Sequence, residues 1–219
     1  MCIRNFIFIF LHSLFLFSCE IPLNEKNKDD PEEINNSFED HMDSSMDETF
    51  NESNYPLNFM VNIDFFQTTP SDEKKFDEAI EMIKRVVSSS EFKERVLNHT
   101  YNGVKTFVDN RGLSNFQIFK MIIEGAEILN KMKNNTLDME VELYYADSST
   151  VGYTISNSPR VWVNTKYFYV FPVSGVASNL MHEWLHKLGF RHASVYSPSR
   201  DYSVPYAIGR MVGSLGKKL

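Results

Sequence analysis

Residues 176–192 read Val-Ala-Ser-Asn-Leu-Met-His-Glu-Trp-Leu-His-Lys-Leu-Gly-Phe-Arg-His. The spacing of the apolar residues predicts a helix over about 174–188 with enough apolar surface to be buried. His182 and His186 stand four residues apart, so they project from the same face of this helix. Gly189 predicts a sharp turn at the helix end, because glycine enters positive φ at little cost. That turn brings His192 back towards the other two histidines.

Three imidazoles that converge in this way are a ligand set for a metal ion. They suit Zn²⁺, which takes about four tetrahedral ligands and at catalytic sites keeps one position for water. Glu183, next to His182, can reach such a water without being a ligand and act there as general base. The alternative is a buried amphipathic helix with incidental histidines, but three of them at this spacing with Glu and Gly favour a metal site. The two cysteines, Cys2 and Cys19, leave the rest of the chain without a thiolate ligand.

The pattern His182-Glu183-x-x-His186-x-x-Gly189-x-x-His192 resembles the elongated zinc motif of the metzincin metallopeptidases. The resemblance implies a Zn²⁺ cofactor held by the three histidines. It also implies peptide-bond hydrolysis with Glu183 as general base on zinc-bound water. The segment 150–155 is then the candidate for the family's edge strand, which pairs with extended substrate, and Gly152 would permit close backbone approach. An ordinary hairpin strand is the alternative for that segment.

Metzincins also have a Met-containing turn after the third histidine, and here the match is partial. The segment 201–207 resembles a Ser-x-Met-x-Tyr form of that turn, but Pro205 stands at the Met position and Met211 lies farther along. Tyr206 is the candidate that donates a hydrogen bond to the developing oxyanion, with Tyr202 as a second candidate. A tyrosine packed beneath the cleft is the alternative.

Strand and helix patterns alternate around the motif. Strands are expected at 59–66, 103–108, 137–145, 151–155 and 160–163, and helices at 70–87, 91–97, 114–132, 174–188 and 208–215. This order predicts an α+β (α/β-like) domain. The resemblance implies a metzincin-like zincin domain, with a twisted, mostly parallel sheet, an antiparallel edge strand, long helices and an active-site helix.

Residues 1–18 are typical of a secretory signal. Arg4 precedes an apolar stretch at 6–17 that is shorter than the about 20 residues a bilayer span requires. Leu16-Phe17-Ser18-Cys19 resembles the lipobox of bacterial lipoproteins, which implies a lipidated Cys19 at the mature N-terminus. We therefore expect an extracytoplasmic protein anchored to a bacterial membrane, with simple secretion as the alternative.

The acidity of the chain is concentrated behind this segment. Residues 20–56 hold twelve of the 29 acidic residues but only two of the 22 Lys and Arg. Such a composition predicts that 19–56 is a disordered tether, with a propeptide as the alternative. The catalytic domain is expected at 57–219. It has no basic run suited to nucleic acid, and we expect it to act as a monomer.

Three functions fit these features. The first is a zinc-dependent metalloendopeptidase that hydrolyses extracytoplasmic protein or peptide substrates. The second is a zinc amidase acting on a small or cell-wall peptide substrate, which uses the same metal chemistry. The third is a non-catalytic surface-binding lipoprotein with structural zinc. Glu183 argues against the third, since structural zinc has no use for a base beside its ligand.

Overall fold

The computed structural model describes residues 58–125, 127–129 and 133–219. The predicted signal segment and tether therefore lie outside the described residues. Within those residues the chain forms four strands and six α-helices, in the order β1 (Met60–Phe66), α1 (Pro70–Val87), α2 (Ser90–Leu97), α3 (Asn115–Glu124), β2 (Thr136–Tyr144), β3 (Gly152–Thr154), β4 (Arg160–Asn164), α4 (Thr165–Phe168), α5 (Val173–Lys187) and α6 (Val204–Gly216). A 3₁₀ turn, Pro198–Tyr202, precedes α6.

The strands form one sheet in the order β1-β2-β4-β3. β1 pairs with β2 and β2 with β4 in parallel, while β3 adds antiparallel to β4 at the edge. The expected mixed α/β class, with a mostly parallel sheet and an antiparallel edge strand, is confirmed. The alternation predicted for 137–145 is seen in β2, where the residues from Leu137 to Leu143 that share one face are buried. That face lies in the core and the other remains half-buried.

Local signals position the first helix. Thr69 caps α1 and forms a reciprocal capping box with Asp72, and Pro70 occupies the first turn, where its missing N–H is not needed. The apolar stripe of α1 packs in the core together with the sheet and α5. Phe76, at its centre, stacks on Phe65 of β1 and on Phe168 of α4, with ring centroids 5.2 and 4.5 Å apart. These ring contacts join α1 to β1 and α4, and α1 also packs against the helix that carries the motif.

Two predicted elements are wrong in extent or kind. The segment 103–108 is not a strand: Tyr101 bridges back to Val104 across a tight turn, and Val108 makes a single bridge to Ser203. The helix predicted at 114–132 ends at Glu124, because Gly125 follows in the left-handed conformation at φ 64°. The helical spacing of apolar residues continues in the sequence beyond Gly125, which ends the helix, so this spacing predicted too long a helix.

The last helix begins earlier than expected, at Val204 rather than 208, so Tyr206 lies in its first turn. Met211 lies on the same helix, as predicted. Nothing in the described ranges is a helix both long enough and apolar enough to cross a bilayer.

Candidate metal centre

Helix α5 carries His182 and His186 on one face, and its C-terminal turn carries the third histidine back towards them. Gly189 adopts φ 90°. Its N–H donates to the His186 carbonyl and the Phe190 N–H donates to the Leu185 carbonyl, at 3.0 and 3.1 Å. This pair of bonds is a Schellman motif, in which a left-handed residue closes the helix. Residues with a side chain rarely adopt this positive φ, so the turn depends on glycine.

The three predicted ligands come together. His182 Nε2 lies 3.3 Å from His186 Nε2 and 3.2 Å from His192 Nε2. One ligand nitrogen from each ring lies within 4.8 Å of the other two. Among the described residues this is the one group of three or more potential ligands close enough to share an ion.

The partners of each ring decide which nitrogen carries the proton. His186 Nδ1 lies 2.8 Å from the Phe190 carbonyl and His192 Nδ1 lies 3.0 Å from the Ala193 carbonyl. The His182 ring hydrogen-bonds to the main chain of Pro205, which has only a carbonyl to offer. A carbonyl can only accept, so each ring donates through the nitrogen facing it and keeps a lone pair on Nε2.

Three lone pairs that face one another cannot hydrogen-bond among themselves, and a shared cation resolves the repulsion. Tetrahedral Zn²⁺, with Zn–N distances of about 2.0–2.1 Å, spaces its nitrogen ligands about 3.3–3.4 Å apart. The observed Nε2 separations of 3.2 and 3.3 Å match that spacing. The carbonyls behind the rings supply the outer hydrogen bonds that orient ligating histidines. The donor set and its geometry therefore fit Zn²⁺.

The electrostatics of the centre favour neutral imidazoles. Burial, reinforced by the neighbouring histidines, holds the pKa of His182 well below its usual value and lowers the pKa of His186 to about 4. Burial also lowers the pKa of His192, with a further contribution from the Arg200 guanidinium. Metal binding requires the neutral ring, so all three are in the ligating form at neutral pH.

Glu183 follows His182 on α5 and is 1 % exposed. Its Oε1 lies 3.5 Å from the Asn179 amide nitrogen, one helical turn earlier. The group of converging ligand atoms among the described residues contains the three imidazoles and no carboxylate. Glu183 is therefore next to a ligand in sequence without being one of the converging ligands, and its role as general base remains a prediction.

The floor of the centre is built from the segment where a methionine turn was expected. The Tyr206 ring packs against His182 and His192, with centroids 4.5 and 4.6 Å away. Its hydroxyl accepts a hydrogen bond from Arg200, whose guanidinium also lies 4.7 Å from the Tyr206 ring centroid. Tyr206 thus packs beneath the histidines, as the alternative interpretation held, while its oxyanion role stays a prediction. Tyr202 is 41 % exposed and contacts Tyr101 and His99 instead.

The candidate substrate strand is β3, at the edge of the sheet and packed against α5. Gly152 permits a close approach at this strand, but the groups that approach it belong to the protein and not to a substrate. A Cβ on Gly152 would lie 2.8 Å from Asn179 Oδ1 and 3.0 Å from the Trp162 carbonyl. The glycine therefore serves the packing of β3 against the site helix, and pairing with substrate at this edge remains a prediction.

Three buried charged residues around the centre were missed by sequence reasoning. Lys187 is 6 % exposed, and its ammonium donates to the carbonyls of Ile155, Ser158 and Arg160. Arg200, 3 % exposed, also donates to the Ser194 carbonyl. The third is Glu127. The partners of Lys187 and Glu127 lie far away in sequence. Those of Lys187 and Arg200 include main-chain carbonyls, which carry no residue-type signal.

Glu127 lies beneath the site helix. Its Oε1 accepts hydrogen bonds from Trp184 Nε1 at 2.7 Å and from the Asp138 N–H at 3.1 Å. Burial raises the pKa of the Glu127 carboxyl above its ordinary value of 4.5. The side chain thus anchors α5 to β2 through Trp184, and its ionised form is disfavoured.

Comparison with known proteins gives no match. No family model, no curated protein and no solved structure is significantly similar to the chain.

We predict that Glu127→Gln stabilises the protein in a pH-dependent way. The carboxyl has a raised pKa in the folded state, so wild-type stability falls as pH rises through that pKa, whereas the amide does not ionise. Below pH 4.5, urea unfolding should give the same free energy of unfolding for the variant and the wild type. At pH 8 the variant should be more stable, by on the order of 1 kcal/mol. Glu81→Gln, on the exposed side of α1, is the control and should show no such divergence. A variant less stable than wild type at pH 8 would contradict the interpretation.

Proposed function

We propose that this chain is a zinc-dependent metallopeptidase of the metzincin type that hydrolyses protein or peptide substrates. The observation that carries the proposal is the convergence of three neutral imidazoles at a spacing suited to tetrahedral Zn²⁺. Glu183, adjacent to the first ligand, adds a base that a purely structural site would not need. The arrangement therefore favours hydrolysis over a structural role for the metal.

The order of elements supports the same family. A long helix, α1, precedes the central strands, an antiparallel strand closes one edge of the sheet, and the site helix follows. The chain then turns at Gly189, presents His192, and continues to α6, whose first turn packs Tyr206 against the histidines. In this proposal β3 is the strand to which an extended substrate adds by main-chain hydrogen bonds.

The chemistry divides between the metal and the chain. Bound Zn²⁺ would lower the pKa of water towards about 7 and polarise a carbonyl group. Glu183 takes the proton from the attacking water and returns it to the leaving amine. The carbonyls of Phe190, Ala193 and Pro205 hold the three rings in position while this happens.

Tyr206 remains the candidate that stabilises the developing oxyanion. Its hydroxyl accepts a hydrogen bond from the Arg200 guanidinium, and a hydroxyl that accepts from a cation becomes a stronger donor through its own O–H. Arg200 would therefore act through Tyr206, since its own guanidinium is buried away from solvent.

We predict that Glu183→Gln in the full-length chain keeps one equivalent of zinc but lowers peptide hydrolysis at least about 10²–10⁴-fold, because the amide cannot accept the proton. Zinc content by mass spectrometry and kcat/KM on a quenched fluorescent peptide library measure the two effects. Glu81→Gln, which removes an exposed carboxylate on α1, is the matched control and should retain both zinc and activity.

Unchanged turnover by Glu183→Gln would contradict the assignment of the base. A wild-type chain that binds zinc but cleaves neither peptides nor amides would contradict the proposed function. A non-catalytic binding protein would then be the remaining interpretation. Cleavage restricted to small amides would favour the amidase alternative.

We propose further that Cys19, which lies outside the described residues, carries the lipid that holds the protein at a bacterial membrane. Expressed in a bacterium that processes lipoproteins, the wild-type chain should sediment with membranes, whereas Cys19→Ser should be released, because the acyl chains supply the membrane affinity. Centrifugation followed by immunoblotting measures the partition. Sedimentation of Cys19→Ser with membranes would reject this anchor.

A further inference from the structure

A cavity of about 450 Å³ opens beside the metal centre. Its walls come from β1, β2, the C-terminal end of α5 and the segment 156–159, and His186 belongs to both the cavity and the ligand set. The volume lies in the range of about 300–1,000 Å³ that small-molecule sites occupy. A group bound there would therefore lie next to His186, one of the three candidate metal ligands.

The lining is rich in carboxyl groups: Asp64, Glu127, Asp138 and Glu140. Two cations also line it, Arg191 and Lys187, but the Lys187 ammonium is turned towards three main-chain carbonyls of the neighbouring loop. The Asp138 carboxylate accepts hydrogen bonds from the side-chain amides of Asn62 and Asn134. The Glu140 carboxylate pairs with Arg160. Even without Glu127, whose ionised form is disfavoured, the three other carboxylates outnumber the two cations of the lining.

Glu127 is the observation that points to a ligand. The side chain is 5 % exposed, and its Oε2 is buried without a hydrogen-bond partner among the described residues. A glutamine would accept the same two hydrogen bonds from Trp184 and Asp138 without a buried ionisable group. A buried acid with one unsatisfied oxygen in a cavity wall is costly in the empty protein, and such groups concentrate at functional sites.

The four carboxyl groups do not form a metal site. No group of ligand atoms in this wall, among the described residues, is close enough together to share an ion. Carboxylates spread around a cavity suit a larger cation that donates several hydrogen bonds in different directions, as a guanidinium does.

We infer that the cavity beside His186 is a substrate subsite for the side chain of arginine or lysine. The inference rests on the proposed peptidase function and adds the substrate class to it. Asp64 is exposed and Asp138 half-buried, so these two carboxylates receive the cation, and the unpartnered oxygen of Glu127 is a further acceptor. The carboxylates of the wall make the enzyme selective for one basic residue near the cleaved bond.

The test uses the full-length chain and pairs of peptides that differ at one position, arginine against its neutral isostere citrulline. At one position flanking the cleaved peptide bond, we expect kcat/KM to be at least about tenfold higher with arginine than with citrulline, because hydrogen bonds to charged groups are strong. Asp64→Asn should reduce that preference about two- to fivefold. Asp77→Asn makes the same change on the exposed face of α1 and should leave it unaltered. Equal cleavage of both peptides at every position would overturn the subsite.

A binding measurement keeps this test separate from the proposed function. N-acetyl-arginine amide and N-acetyl-citrulline amide are titrated into Glu183→Gln, and amide chemical shifts are followed by NMR. Saturable binding of the arginine compound alone, weakened by Asp64→Asn, supports the subsite even if no peptide is hydrolysed. Equal or absent binding of both compounds overturns it, whatever the enzymatic activity.

Discussion

The structure depends on one electrostatic constraint: three imidazole nitrogens, each with a lone pair, face a common point, and His182 Nε2 lies 3.3 and 3.2 Å from the other two. Each ring is turned to that point by a main-chain carbonyl on its other side, from Phe190, Ala193 or Pro205. Such an arrangement is repulsive unless a cation occupies the centre. Burial makes the rings less basic, so a metal ion meets little competition from protons.

The rest of the fold holds this geometry in place. Helix α5 packs against α1 and α6, and its Trp184 is fully buried, edge-to-face with Phe59. The indole N–H donates to Glu127, which links the helix to β2. The Tyr206 ring supports the histidines from below, where a methionine was expected. Pro205 holds the expected Met position, yet its carbonyl orients His182, so the departure in sequence preserves a contact with the centre.

Much of this was predictable from local pattern. The ligands follow from a helix period and one glycine, and β2 follows from strict alternation between Leu137 and Leu143. The capping box at Thr69 marks the start of α1. Long-range contacts were not predictable: Lys187 donates to a main-chain carbonyl 29 residues away, and Glu127 contacts Trp184 across 57 residues. The carbonyl partner of Arg200 is only six residues away, but a main-chain carbonyl carries no residue-type signal. The end of α3 was missed because apolar spacing continues past Gly125.

X-ray absorption at the zinc edge of the purified full-length chain tests the central claim most directly. The account predicts one tightly bound Zn²⁺ per chain, with three imidazole nitrogens at about 2.0–2.1 Å and one oxygen. A chain that retains no stoichiometric zinc, or a zinc shell with fewer than three imidazoles, would contradict it.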